Sequence, residues 1–165
     1  MIFVTVGSDI PFDRLIRAVD RWARERQCRD IFAQIGRGGW EPGFISYSHL
    51  LDPVEFKKRL VASRVVVGHA GMGTILSALQ HSKPILVMPR RGSLGETRND
   101  HQMATARQLQ EMGRVNVAYD EDDLMGLLDR VDELAPKERI AGHAGADMIE
   151  AIRDFIFQRS APGNG

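Results

Sequence analysis

The chain has a single cysteine, Cys28, so no disulfide can form within it. Its five histidines show neither HExxH nor any Cys/His ligand spacing. A structural zinc site is therefore not expected, and a reducing cytoplasm suits the composition. Charge of one sign is also missing, because Lys plus Arg and Asp plus Glu both number 22. No overall field draws such a chain to nucleic acid or to an anionic membrane, and any anion it binds must be held locally. Long hydrophobic runs are absent as well. The apolar start "MIFVTVG" has no basic residues ahead of it and breaks at Gly7 and Ser8, which argues against a signal peptide. Nothing approaches the roughly 18 apolar residues of a membrane span. No repeat of structural length and no low-complexity tract is present. The expectation is a soluble protein, free to dock on a membrane protein.

What the chain has is enough apolar material for one core. At 165 residues and 43% hydrophobic content it is too short for two ordinary domains. A single domain over residues 1–158 is expected, with a disordered tail at 159–165. Short apolar runs at Ile2 to Val6, Ile31 to Ile35, Phe44 to Tyr47, Val65 to Val67, Ile85 to Met88 and Val115 to Tyr119 read as six strands. Between them Phe12, Leu15, Ile16, Val19, Trp22 and Ala23 recur at helical spacing. So do Leu124, Leu127, Leu128, Val131 and Leu134, and again Met148, Ile149, Ile152, Phe155 and Ile156. Segments 73–81 and 99–112 complete the alternation, while Gly36 to Gly43 reads as a flexible loop between two strands. The pattern predicts a doubly wound α/β domain, with a largely parallel six-stranded sheet covered on both faces. Ligands of such sheets sit beyond the carboxyl ends of the strands, near the point where strand order reverses. Attention therefore falls on residues that follow strands.

One such segment is "VVVGHAGMGTILSAL", Val65 to Leu79, where β-branched residues run into a histidine and glycines ahead of a helical pattern. The amides of a helix's first turn lack intrahelical acceptors and carry partial positive charge, and glycines let a phosphate come close to them. Thr74 adds a hydroxyl. Glycines after strands also make ordinary tight turns, which is the plainer reading. The segment has no Lys-Ser/Thr pair as in a P-loop, and a dinucleotide GxGxxG would want glycine where Leu76 stands. A second "GHAG" at Gly142 to Gly145 follows no strand.

"HAGMGTIL" resembles the donor-phosphate motif of GT-B glycosyltransferases that use UDP-sugars. "MIFVTVGSDIPFDRLI" and "KPILVMPRRGSLGETRNDHQMATA" are similar to the carboxyl-terminal domain of glycosyltransferase family 28. The resemblance runs from Met1 to about Leu134. It is narrowest with members split over two chains, one soluble and donor-binding, the other membrane-anchored. Exopolysaccharide glucuronosyl- and galactosyltransferase subunits and the eukaryotic lipid-linked GlcNAc transferase are of that kind.

The resemblance implies a Rossmann-like GT-B half with His69 and Thr74 as the catalytic contacts to the diphosphate. Gly71, Met72 and Gly73 would present the loop backbone, and Gly7 and Ser8 would meet the diphosphate or sugar. Tyr47 would lie beside the uracil, and Asp100, His101 and Gln102 would meet the sugar hydroxyls. Many such domains place a ribose-binding glutamate where this chain has Ser77, and one hydroxyl cannot supply the same charged pair of bonds. Arg90 or Arg91 is expected to fork onto a donor phosphate or a uronate carboxylate, although adjacent arginines more often mark a solvated face. "DED" at Asp120 to Asp122 is read as helix capping rather than as a metal motif. Asp13 and Asp20 are read as solvated positions on the first helix.

The function so implied is donor binding in an inverting UDP-sugar glycosyltransferase, with a lipid-linked saccharide as acceptor and possible transfer of glucuronate in exopolysaccharide synthesis. No cofactor and no metal are expected. A membrane-anchored acceptor-binding subunit would place the chain at the inner face of the cytoplasmic membrane and supply the catalytic base. A non-catalytic partner of a membrane glycosyltransferase and a free-standing UDP-sugar epimerase remain as alternatives.

Overall fold

A computed structural model of the protein describes residues 1–136. The helix expected over Met148 to Ile156, the second "GHAG" and the tail at 159–165 lie outside the described residues. Among these residues six strands form one sheet, β1 (Ile2–Thr5), β2 (Ile31–Gln34), β3 (Ser46–Ser48), β4 (Val65–His69), β5 (Ile85–Met88) and β6 (Asn116–Val117). Their order is β3-β2-β1-β4-β5-β6, and every neighbouring pair is parallel. The sheet is thus wholly parallel, and strand order reverses between β1 and β4. Among the described residues five α-helices accompany it, α1 (Asp13–Glu25), α2 (Pro53–Ala62), α3 (Met72–Gln80), α4 (His101–Glu111) and α5 (Glu121–Asp129).

The near-continuous apolar strands follow from burial on both faces. Ile2 and Val4 point to one side, among Leu15, Ile16, Val19 and Trp22 of α1 and Leu124 and Leu128 of α5. Phe3 and Val66 point to the other, among Ile75 and Leu79 of α3, Ala106 and Leu109 of α4 and Leu60 of α2. Every one of these side chains is buried. The alternation along β1 is the period of two that a pleated strand imposes.

The sequence pattern misses one helix and misplaces one aspartate. Helix α2 is amphipathic only weakly, and it is better announced by its start. Asp52 accepts the amides of Val54 and Glu55 at 2.9 and 3.0 Å, and Pro53 takes the first helical position. Asp20, read as solvated, is only 2% exposed. Its position four residues after Ile16 and three before Ala23 places it on the apolar stripe of α1. The carboxylate is tolerated there because it accepts the amides of Phe44 (2.8 Å) and Ile45 (3.0 Å) and pairs with Arg24 (3.1 Å). Those bonds fasten the glycine-rich connection between β2 and β3 onto α1. Arg17 stacks on Trp40 and Asp13 receives the Trp40 amide in the same connection. Asp120 caps α5 by accepting the amide of Asp123 at 2.8 Å, as the capping reading expects.

Candidate functional site

The strand run expected to stop at Val67 continues through Gly68 and His69, since both pair with β5. Only Ala70 and Gly71 then separate β4 from α3. Gly71 is the N-cap, and among the described residues no side chain caps this helix. The first-turn amides of α3 therefore face the carboxyl edge of the sheet without a side-chain acceptor. Next to them, across the strand-order reversal, residues 6–12 lead from β1 into α1 as a longer strap. Between loop and strap lies a pocket of about 310 Å³, floored by His69, Gly71, Gly73 and Thr74 and walled by Gly7, Ser8 and Asp9.

His69 sits between the two glycines. A Cβ on Gly71 would fall 2.1 Å from its Nε2, and one on Gly7 would fall 3.0 Å from its Cε1. Gly71 has no room for a Cβ unless the ring shifts, while Gly7 is tight and also has φ of +82°. Among the described residues the imidazole Nδ1 is buried without a well-aligned hydrogen-bond partner. Burial first, and then the charge of Arg90, lowers the pKa of His69 to about 4, against smaller opposing effects of the Thr5 backbone and Asp9. The ring is neutral near pH 7 and meets a ligand without a full positive charge, as a donor only in the tautomer whose proton is on the pocket-facing nitrogen.

The strap is fastened from outside itself. The Gly7 amide donates to Thr5 Oγ1 at 3.2 Å, and Gln34 Nε2 donates to the Gly7 carbonyl at 3.3 Å. Arg90, only 3% exposed, donates from Nη1 to the carbonyl of Pro11 at 2.7 Å. From Nη2 it donates to the carbonyls of Val6 (3.0 Å) and Ile10. A longer bond of 3.4 Å reaches the carbonyl of Glu96, and the guanidinium lies over the Phe12 ring. Gln102, the first residue but one of α4, accepts the Arg90 amide at 3.2 Å and also lines the pocket.

The structure thus gathers Gly7, Ser8, His69, Gly71, Gly73, Thr74, Arg90 and Gln102 around one cavity. It does not bring the other expected residues to it. Arg90 reaches the wall with its terminal N–H groups already committed to carbonyls. Arg91 points elsewhere, its amide donating to Glu96 at 2.9 Å and its guanidinium donating to the Tyr119 carbonyl. Asp100 accepts the Gly92 amide at 2.8 Å, and His101 opens α4 with its own amide donated to Asn99. Met72 packs against the α3 side of the core. Ser77 donates its hydroxyl to the Gly73 carbonyl at 2.7 Å and faces a separate groove between α2 and α3. Tyr47 lies on the edge strand β3, edge-on to His49.

Sequence reasoning missed Val6, Asp9, Ile10 and Thr97, which also line the pocket. Asp9 follows Ser8 in the same post-strand segment and could have been taken with it. Thr97 carries no signal of its own. Among the described residues no group of three His, Cys, Asp or Glu is arranged to hold a metal ion, and no helix is long and apolar enough to cross a membrane.

The profile of the Glycosyltransferase family 28 C-terminal domain matches residues 1–153. The chain is 32% identical over 124 residues to the UDP-N-acetylglucosamine transferase subunit ALG13 of Homo sapiens, an alignment covering 69% of this chain and 10% of that protein. It is 36% identical over 94 residues to the subunit of the same name from Eremothecium gossypii, covering 55% of this chain and 44% of that one. The chain therefore spans about a tenth of the human relative and less than half of the other. Among solved structures, the solution structure of ALG13 superposes with a TM-score of 0.61 at 19% identity over 94% of both chains. MurG of Acinetobacter baumannii superposes with a TM-score of 0.60 at 15% identity, over 92% of this chain and 49% of that one. At these identities the structural likeness is one of fold.

Proposed function

Because the chain belongs to the Glycosyltransferase family 28 C-terminal domain family, we propose that it is the donor-binding half of an inverting UDP-sugar glycosyltransferase. The observation that carries this reading is the α3 N-terminus at the strand-order reversal, uncapped by any side chain and flanked by His69, Gly73 and Thr74. A diphosphate seated there is met by backbone amides, the positive end of the helix dipole and a threonine hydroxyl. No metal is then required, because these groups supply the positive potential.

As the bond between the sugar's anomeric carbon and the phosphate oxygen breaks, negative charge grows on the departing UDP. The same amides, Thr74 and the neutral His69 N–H stabilise it in place. An acceptor hydroxyl bonds to the anomeric carbon from the opposite face, and its proton passes to a base. That base and the acceptor, a lipid-linked saccharide, are assigned to a membrane-anchored partner chain. The chain itself would then work at the cytoplasmic face of the membrane. The curated relatives' description as transferase subunits supports a divided enzyme.

For the donor sugar, an uncharged N-acetylhexosamine is favoured over glucuronate. Arg90 and Arg91, the arginines suited to a uronate, are engaged with backbone carbonyls. The remaining charged side chain on the pocket wall is the carboxylate of Asp9. One observation favours a second reading, a non-catalytic partner of a membrane transferase. The Ser77 hydroxyl at the ribose position is turned back onto Gly73.

Calorimetric titration of the wild type, His69→Ala and Thr74→Ala with UDP, UDP-N-acetylglucosamine and UDP-glucuronate tests the proposal. The expected result is measurable UDP affinity, weakened roughly tenfold in each variant, with glucuronate the poorer donor. Equal affinity in all three proteins would overturn the site, and no affinity in the wild type with its partner bound would favour the second reading.

A further inference from the structure

Arg90 is the most buried charged group near the pocket, yet it faces no carboxylate within ion-pairing distance among the described residues. Glu96, the nearest acid that influences it, is paired with Arg14 through Nη2 at 2.9 Å. A buried cation without a close counter-charge must be held by other acceptors. Here these are carbonyls of two separate segments: Val6, Ile10 and Pro11 in the strap after β1, and Glu96 in the turn before α4. The three strap carbonyls bracket Ser8 and Asp9, which are themselves exposed and bonded chiefly to each other, Ser8 Oγ to Asp9 Oδ1 at 2.9 Å. Without the guanidinium, the hydrogen bonds that tie the strap down among the described residues would be the Gly7 attachments to Thr5 and Gln34 and the backbone bonds at its two ends, Val6 to Gln34 and Ile16 to Phe12. A segment with so few internal bonds has many conformations available, and holding one of them in advance removes an ordering cost from ligand binding.

We propose that Arg90 is a positioning residue, which fixes the Gly7–Pro11 strap as the wall of the donor pocket through its carbonyl bonds and does not itself touch the donor phosphates. This rests on the donor-site reading above. It replaces the expectation that Arg90 forks onto the phosphate. The residue reaches strap carbonyls 79 and 80 positions away and the Glu96 carbonyl 6 positions away, so two walls of one cavity are set by a single side chain. The Gln102 bond to the Arg90 amide ties the helix that follows to the same point.

The test uses Arg90→Gln, Arg90→Lys and, as a control, Lys83→Met. Lys83 also holds a carbonyl, that of Ser63 at 2.8 Å, but at the opposite end of β5. In Arg90→Gln the backbone amide resonances of Gly7 to Ile10 should shift before any ligand is added, and UDP should bind roughly tenfold more weakly. The His69 ring should titrate above its wild-type value of about 4, because a neighbouring positive charge has gone. Arg90→Lys, which keeps a cation with three donors, should recover part of the affinity. Lys83→Met should lower the melting temperature and leave both UDP affinity and the strap resonances unchanged. Wild-type affinity in Arg90→Gln, or unmoved strap resonances, would overturn the proposal. If Arg90→Gln does not fold, the wild type decides through the Arg90 guanidinium resonances. They should stay in place when UDP is added, and a large displacement would show the guanidinium meeting phosphate. Should wild-type protein bind no UDP at all, the donor-site reading fails, and the ligand-free strap resonances still decide the positioning role.

Discussion

The two junctions that frame the pocket are built in opposite ways. From β4 to α3 the chain turns in residues 70–71, and the shape is set by what lies within and immediately before the turn, with the Gly71 backbone passing over the His69 ring. From β1 to α1 it runs through residues 6–12, and that path depends on side chains from β2 and from the end of β5. The short junction is a local structure, and it is the proposed seat of the diphosphate. The long one is a shaped wall whose form is set at a distance, leaving Ser8 and Asp9 exposed at its tip. Under the proposed donor site, the locally built junction would hold the phosphates and the externally fastened one would shape the wall beside them.

The contrast breaks most sharply at Gly71. Its φ of −85° and ψ of 131° suit any L-residue, so its requirement for glycine is contact alone. Gly71→Ala would set a methyl 2.1 Å from the His69 Nε2, so the ring would have to shift in a place where Gly7 already crowds its Cε1. A stability loss of at least about 3 kcal/mol is expected, read as a fall in the urea midpoint at unchanged slope. Gly7→Ala meets the ring at 3.0 Å and adds left-handed strain, for an expected loss of about 1–2 kcal/mol. If the two variants proved equally destabilised, the short junction would not be the more rigid of the pair.

His69 belongs to both junctions, and its protonation probes them together. The unfolded chain binds a proton near the ordinary value of 6.5, whereas the folded ring resists until about 4. Between those values the unfolded state carries more protons, so stability falls as pH drops from 6.5 to 4 and the full difference is present below 4. Allowing for the ring's incomplete burial, the contribution is roughly 2 kcal/mol. His69→Gln removes the titration and should flatten stability against pH in that window. An unchanged slope would mean the ring is not held neutral, and with it the squeeze between Gly7 and Gly71 would be lost.

How much of this was legible in the sequence follows the same division. The six-stranded α/β frame shows in the apolar runs because strands buried on both faces leave a continuous apolar signature, as Val65 to Val67 and Ile85 to Met88 do. The short junction shows too, since "GHAGMG" after such a run carries its turn and its helix start within a few residues. The fastening of the strap does not show. Arg90 announces a charge and invites a ligand, and only its distance from Val6, Ile10 and Pro11 in space reveals that carbonyls hold it. Asp20 fails to show for the same reason, because a carboxylate on an apolar stripe is explained only by the Phe44 and Ile45 amides it accepts. Ser77 and Tyr47 were placed by resemblance, and the distance of each from the pocket is a fact of register that no residue type encodes.

The mildest variant sharpens the comparison best, because it separates the seat from the fold. A Cβ added at Gly73 would meet nothing within 4 Å, unlike one at Gly71 two residues earlier. The position lies in the first turn of α3, where alanine loses less backbone freedom on folding than glycine. Gly73→Ala should therefore keep or raise stability, by about 0.5–1 kcal/mol. The new methyl nevertheless projects beside the amides proposed to hold the diphosphate, where close approach is the reason for a glycine. UDP affinity should drop by roughly tenfold while the melting temperature holds or rises. Unchanged affinity alongside raised stability would show that no ligand comes close to that turn, and the rigid seat would then be a feature of the fold alone.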